Sequence, residues 1–381
     1  MAKLSIIYAE GALNNVAASQ DHISGLVFCG DFGNPTGITG IETFTGGHVI
    51  QVSSYEGAVT AGITSAYPVV NYQLSTFFEE NPSGLVWLAF ITDTGSTYTE
   101  LSALQQFTEG KIRQFGLYDA RELDVAILAN MDTQLEALKT DKQNAVAIVG
   151  MDTASLTYTS LPDLSATAYS NIAVMVGQDG ASTLSGSTSL PDVGAVLGAT
   201  SLANVAVSPA YFRLFQYDNI TTAPALGNGV EIKTLSNSYL ETNLDDKNYM
   251  RFQKVVGDNS VYLNQSFTAT SRTDDYKSIE LNRVMNKCGR QINLYLSKEL
   301  NSPIQLDSNG YIAEGRRNEL QTIASTGLRD MKGNQEISSF KCNIDPSQNI
   351  LGTGILEVVA KIIPYATANE IEVTLGFATS L

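Results

Sequence analysis

A mixed α/β (α+β) fold built on a sheet-and-helix core is the class this sequence predicts. In the first half, short apolar runs bounded by Gly, Asp or Asn alternate with helix-compatible stretches. In the second half the strongest amphipathic helix of the chain spans Asp275–Leu300, and the closing residues alternate apolar with polar as a strand does.

Taken in order, Gly25–Gly30, Gly84–Ile91, Val125–Ala129, Ala145–Gly150 and Asn171–Gly177 read as strands, because a strand covered on both faces is apolar throughout. Ala66–Glu80, Thr99–Arg113 and Thr133–Lys142 read as the helices between them, and such alternation makes βαβ units with a mainly parallel sheet. Ser182–Leu190 (STLSGSTSL) is rich in Ser, Thr and Gly and is expected to be a mobile surface loop. Val261–Ser271 alternates as a strand. In Asp275–Leu300, Leu281, Met285, Cys288, Ile292 and Leu296 recur at helical spacing and should form the inward stripe, leaving Arg283, Lys287, Arg290 and Lys298 on other faces. Pro303 stops that helix. A second helix, Gly315–Met331, precedes strands at Ile337–Asn343, Ile355–Pro364 and Glu370–Phe377.

Composition narrows the function. A chain of 381 residues can bury two packed domains or one large one, and its 43% hydrophobic content is ordinary for a globular protein. No run of about 18 apolar residues occurs, so no spanning helix is expected. The opening residues lack the apolar segment and cleavage site of a signal peptide, which predicts folding in the cytoplasm. A net charge of −16 argues against nucleic-acid binding, which needs a basic face. The acidity is uneven: residues 1–200 hold 6 Lys+Arg against 20 Asp+Glu, residues 201–381 hold 17 against 19.

Chemistry-bearing motifs are lacking. Cys29, Cys288 and Cys342 have neither disulfide-framework nor zinc spacing and read as free thiols. His22 and His48 have no metal-ligand partner four residues on and no nucleophile motif nearby. The glycines at 30, 33, 37 and 40 fit turns, not a phosphate loop. The acidic pairs Glu79-Glu80, Asp245-Asp246 and Asp274-Asp275 point to different faces and suit solvated turns and helix starts. No catalytic, cofactor-binding or metal site is expected, and the chain reads as a non-enzyme.

From Leu190 onward the order of features resembles the contractile phage tail sheath proteins, including those of tailocins and related injection systems. Leu190–Ala210 (LPDVGAVLGATSLANVAVSPA) is similar to that family's Gly/Ala-rich helix running into a Pro-Ala turn. Val255–Asn286 resembles its succession of Gly, strand, Arg-Thr, acidic-aromatic pair and Asn-Arg-bearing helix, with Arg272-Thr273 and Asn282-Arg283 in those places. Phe340–Phe377 looks like its strand, Asn-containing loop, Gly, strand, Pro and final strand. The chain departs from the family in having Arg283-Val284 where many members have two arginines, and Tyr276 where Trp is common.

The resemblance implies an N-terminal arm (1–20), an α/β sheath domain (21–260), a C-terminal sheath domain (261–364) and a C-terminal arm (365–381). It implies a structural subunit that polymerises as a helical stack of rings around an inner tail tube protein and contracts to drive the tube through a target cell envelope. Baseplate and tail terminator proteins would be further partners, in a virion tail or injection particle assembled in the bacterial cytoplasm, with no cofactor, nucleic acid or membrane insertion. Leu4, Ile6 and Tyr8, with Ile371, Val373, Leu375 and Phe377, would be arm strands added to a neighbour's sheet; pairing within their own subunit is the other reading. Arg283, Lys287 and Arg290 would contact the inner tube, against a solvated face or contacts to neighbouring sheath subunits. The acidic first half and the Ser182–Leu190 loop would form the outer surface. The rival is a non-contractile structural subunit of a tail tube, baseplate or surface layer; a hydrolase or carbohydrate-binding module fits less well.

Overall fold

The computed structural model describes residues 20–32, 35–91, 97–180 and 189–373. Strand β1 (Ile23–Cys29) is followed by the hairpin β2 (Glu42–Phe44) and β3 (Gly47–Val52), helices α1 (Tyr55–Ala61) and α2 (Pro68–Glu80), and β4 (Leu85–Ile91). Then come α3 (Glu100–Phe107), β5 (Gln114–Glu122), α4 (Val125–Thr140) and β6 (Val146–Asp152). The short strands β7 (Ala168–Tyr169), β8 (Ile172–Met175) and β9 (Gly177–Asp179) lead to helix α5 (Val193–Leu202). Beyond it lie β10 (Pro224–Leu226), α6 (Asn237–Leu240), β11 (Tyr249–Met250), β12 (Phe252–Lys254), β13 (Val261–Leu263) and β14 (Ala269–Thr270). The C-terminal part contains α7 (Ile279–Leu296), α8 (Glu314–Gly333), β15 (Ser339–Asn343), α9 (Ile350–Thr353) and β16 (Val359–Ile363).

One eight-stranded sheet runs in the order β11-β8-β6-β5-β1-β4-β3-β2. The strands from β11 to β4 are parallel, and the β3–β2 hairpin continues the β4 edge antiparallel. β1 lies in the interior of the sheet, and all seven of its residues are buried. Leu26 and Phe28 face one core with α2 and α5, whereas Val27 and Cys29 face the other with α3 and α4. Helices on both faces explain why these strands are apolar throughout.

Helix α5 has nine of its ten residues buried because it is wedged between α2 and the sheet. Glycine makes that possible on both sides. A Cβ on Gly194 would lie 2.0 Å from the Gln73 carbonyl oxygen, and one on Gly198 2.5 Å from that of Phe77. On the sheet below, a Cβ at Gly150 would stand 2.5 Å from the Val193 side chain. Four residues separate Gly194 from Gly198, so both lie on the α2 side of the helix.

The C-terminal unit packs α7, α8 and the β15–β16 hairpin around Val284, Cys288, Leu328, Met331 and Ile337. Around residue 261, β12 pairs with β13, and Val261, Leu263 and Ile279 belong to the core of the large sheet.

Several sequence expectations need correction. Val125–Ala129 is the first turn of α4, not a strand; the Asp124 side chain accepts from the Ala126 N–H at 2.8 Å and caps it. Leu128, Met131, Leu135 and Leu138 then bury one helical face. The expected Thr99–Arg113 helix stops at Phe107, because Glu109 and Gly110 take left-handed backbone angles, φ 57° and 68°. The freed chain enters β5, a strand the sequence did not announce. Residues 181–188 lie outside the described residues, yet Ser189 and Leu190 are buried: the Tyr118 hydroxyl donates to the Ser189 carbonyl, and Leu190 N–H to Gln178 Oε1. Helix α7 begins at Ile279, four residues later than Asp275, since Asp274 closes a local turn by accepting from Tyr276 N–H at 2.7 Å. Residues 370–373 form no strand, and 374–377 lie outside the described residues.

Two predictions follow from the α2–α5 packing. Gly194→Ala forces backbone apart and should lower unfolding free energy by about 3 kcal/mol, while Gly289→Ala, in open space on α7, should be neutral or stabilise by up to about 1 kcal/mol; urea denaturation checks both. At the C-terminal end of α2, burial, then the neighbouring Glu79, pushes the Glu80 carboxyl up to about 7. A carboxyl raised on folding stabilises fully below the unfolded carboxylate range and loses that contribution as pH rises through its folded value. Glu80→Gln should therefore remove on the order of 1–2 kcal/mol of the stability lost between about pH 5 and pH 8, discounted for partial exposure. An unchanged pH slope in the variant would refute this.

Candidate functional site

Helix α7 turns a polar face inward. Its buried residues are Ile279, Glu280, Asn282, Arg283, Val284, Asn286, Lys287, Cys288 and Gln291, whereas Met285 is 38% exposed. The expected orientation holds for Cys288, which is buried, for Ile292, which packs on the same core, and for Lys298, which is exposed, and is corrected for Met285, which faces outward, and for Arg283, Lys287 and Arg290, which turn inward. The inversion is stable because each inward charge meets a partner from elsewhere in the chain.

Arg283 donates from Nη2 to the Ala203 carbonyl at 3.2 Å, at the C-terminal end of α5, where unsatisfied carbonyls and the negative end of the helix dipole favour a cation. Lys287 Nζ stands 2.6 Å from Asp21 Oδ2 and also contacts Glu336 Oε1. Arg290 Nη2 reaches the other Asp21 oxygen at 2.6 Å. Arg113 secures the preceding residue by donating to Gln20 Oε1 at 3.1 Å. Burial pulls the Arg283 guanidinium down to about 10, still cationic at neutral pH, and lowers Arg290 as well. Burial raises the Glu336 carboxyl, and Lys287 opposes that rise. Arg283 and Lys287 are therefore buried and Arg290 is half-buried, and all three are paired within the chain. Asp21, Glu336 and Arg113 were not singled out by sequence reasoning, for no local spacing links positions so far apart.

The outward surface of the C-terminal unit mixes exposed apolar side chains with lysines. β15 and β16 pair from Ser339↔Ile363 to Asn343↔Val359. Phe340, Cys342, Ala360 and Ile362 pack inward, leaving Lys341, Val359, Lys361 and Ile363 on the other face. Among the described residues neither strand has a second neighbour, so both edges present unpaired backbone groups. Toward its described end the chain is exposed, with Ile371 80% and Val373 71% exposed. Leu4, Ile6, Tyr8, Leu375 and Phe377 lie outside the described residues. Nearby, Leu296, Leu300, Leu320, Leu351 and Ile355 line an open groove of about 630 Å³.

At the carboxyl ends of β1 and β5, where ligands often bind in doubly wound sheets, the space holds a satisfied polar cluster. The Tyr98 hydroxyl donates to Asp119 Oδ2 at 2.6 Å, and Arg121 donates to both Asp119 oxygens at 2.8 and 3.0 Å. Burial and Asp119 push the Tyr98 phenol well above its ordinary value. The acidic pair at 245–246 is structural in the same way, with Asp245 Oδ2 2.6 Å from Arg251 Nη2. His48 meets Thr43 Oγ1 at 3.3 Å, and His22 is exposed. Among the described residues no group of His, Cys, Asp and Glu is arranged to hold a metal, and no helix is long and apolar enough to cross a membrane.

With this geometry in view, comparisons with known proteins give a consistent result. Residues 275–381 match a family model described as DUF2586, C-terminal domain. No curated protein sequence matches. The chain is similar in structure to the helical sheath of the anti-feeding prophage in its contracted state, with TM-score 0.65, 12% identity and 100% of both chains covered. It is similar to the sheath complex of the extracellular contractile injection system PVC, also contracted, with TM-score 0.64, 14% identity, and 93% of this chain and 92% of that one covered. A chain of the anti-feeding prophage baseplate is similar at TM-score 0.63, with 13% identity and full coverage of both chains. The fold is that of the sheaths of contractile injection systems.

Removing one cation should reveal the internal role of this cluster. Lys287→Met leaves Asp21 and Glu336 with one cation fewer and should cost about 3–5 kcal/mol, whereas Lys287→Met combined with Glu336→Leu should recover most of it. Denaturant titrations of the single and double variants decide this; a neutral single variant would mean that water already screens the cluster.

Proposed function

We propose that the chain is the structural subunit of a contractile tail sheath and not an enzyme. It polymerises helically around an inner tube, in a phage tail or injection particle assembled in the bacterial cytoplasm, and contracts to drive the tube through a target cell envelope. The observation that carries this reading is the end-to-end likeness of its fold to a contracted sheath. The β15–β16 hairpin supports it chemically: two open edges and an exposed apolar chain end suit strand addition between copies, in which main-chain hydrogen bonds hold and alternate side chains set register. Head-to-tail contacts of that kind generate open helices where the rotation does not close. The inner tube, baseplate and terminator proteins are the further partners, and the tube-facing surface would lie on residues other than Arg283, Lys287 and Arg290, which are paired within the chain. The likeness to a baseplate chain keeps a non-contractile baseplate subunit as the second reading.

Electron microscopy of the concentrated full-length protein should show hollow helical tubes of sheath-like diameter. Deleting 370–381 should leave a soluble chain with the same cooperative melt that no longer forms them, since Ile371 and Val373 support nothing in their own subunit. Small closed particles from the intact chain would favour the baseplate reading, and loss of cooperative melting on deletion would place the chain end in the subunit's own core.

A further inference from the structure

We propose that Lys287 couples the roots of the two chain arms, so that tension on the N-terminal arm passes to the C-terminal arm through α7 and β15 and bypasses the interior of the large sheet. This rests on the reading that neighbouring copies hold the arms. Asp21 stands two residues before β1, which is hydrogen-bonded to β4 on one side and β5 on the other. The side chain of Gln20, one residue earlier, is held by a single hydrogen bond from Arg113, just before β5; without the ion pairs at Asp21, a pull that broke this bond would pass to Ile23 and peel β1 from both neighbours.

The anchor has a continuous path to the other arm. Lys287 Nζ contacts Asp21 Oδ2 and Glu336 Oε1. Two residues beyond Glu336, Ser338 donates its N–H to the Ile363 carbonyl at 2.8 Å and its hydroxyl to the Pro364 carbonyl at 3.0 Å. Pro364 directly follows β16 and is the root of the C-terminal arm. A second contact joins that arm to the same helix: Thr367 Oγ1 donates to Glu280 Oε1 at 3.4 Å, and Glu280 lies about 10 Å along α7 from Lys287 on the same face.

Burial and sequence separation set this path apart from ordinary ion pairing. The Lys287 and Glu336 side chains are 4% and 7% exposed, so water cannot easily replace the contact as it opens. The pairs Lys111–Glu109, Lys139–Glu136, Lys233–Glu231 and Arg317–Glu314 join close neighbours in sequence at more exposed positions. Pairs of that kind transmit nothing between distant parts of the chain. The cluster at Lys287 links positions 21, 287, 290 and 336, and it does so where both arms emerge.

Single-molecule pulling on the full-length chain, with handles near its two ends, tests the coupling without requiring polymerisation. Asp21→Asn, and separately the double variant Lys287→Met/Glu336→Leu, should lower the first-rupture force by roughly a third or more and bring forward release of the β1 segment, whereas Arg316→Met, at an ion pair off the path, should not. The double variant exchanges a buried charged pair for apolar groups, so its melt reports folding separately from force. First-rupture traces of both path variants that superimpose on the wild type would overturn the coupling, whether or not the chain forms tubes. Absence of tubes from the wild type would instead count against the sheath reading and leave the force comparison intact.

Discussion

Three cations that α7 carries into the interior must be neutralised there, and much of the molecule's organisation follows from how this is done. Arg283 meets the carbonyl end of α5, Lys287 is shared between Asp21 and Glu336, and Arg290 takes the second Asp21 oxygen. The Ala203 and Asp21 contacts tie the C-terminal unit to α5 and to the chain before β1, and the Glu336 contact closes the cluster within the unit. A buried ion cluster is a poor source of net stability but a strict geometric condition, because a displaced partner leaves an unpaired charge out of water. The position of the chain at residue 21, the packing of α7 on α5 and the course of β15 are therefore mutually dependent.

The large sheet supplies the rigid body on which this arrangement rests. Close packing at Gly194 and Gly198 brings α5 against α2, and Gly150 lets it sit low on the sheet. The result is an inner helix with almost no solvent contact, whose C-terminal end is presented to Arg283. Interiors packed at this density transmit displacement instead of absorbing it. A body of this kind suits a subunit that moves as a unit between two lattices.

The outer half of the C-terminal unit has the opposite character. β15 and β16 form a sheet of two strands, and such a hairpin is marginal until further strands or a helix cover it. α7 and α8 cover one face through Phe340 and Ile362; among the described residues the other face and both edges are uncovered. Val359, Ile363, Ile371 and Val373 would be a liability on a solitary monomer, which is why the proposed polymer would use them as an assembly surface. In the proposed sheath, a rigid body beneath an uncovered hairpin would permit links that persist while bodies rotate.

The sequence by itself determined the fold class, most of the buried strands and the two long C-terminal helices, because period and composition act over neighbouring residues. It also carried the order of features from Leu190 to Phe377 that resembles sheath proteins. It failed at β5 and α4, where Asp124 as a cap and the left-handed Glu109-Gly110 turn outweighed apolar content. The candidate site was legible only in part: Arg283, Lys287 and Arg290 stood out as a basic stripe, but their direction was misread. Amphipathic periodicity assumes that charge faces water, and that assumption holds unless a counter-charge waits inside. Only the tertiary structure decided that Asp21 and Glu336, 315 positions apart in a 381-residue chain, would meet at one ammonium group and turn an outward-looking face into an internal joint.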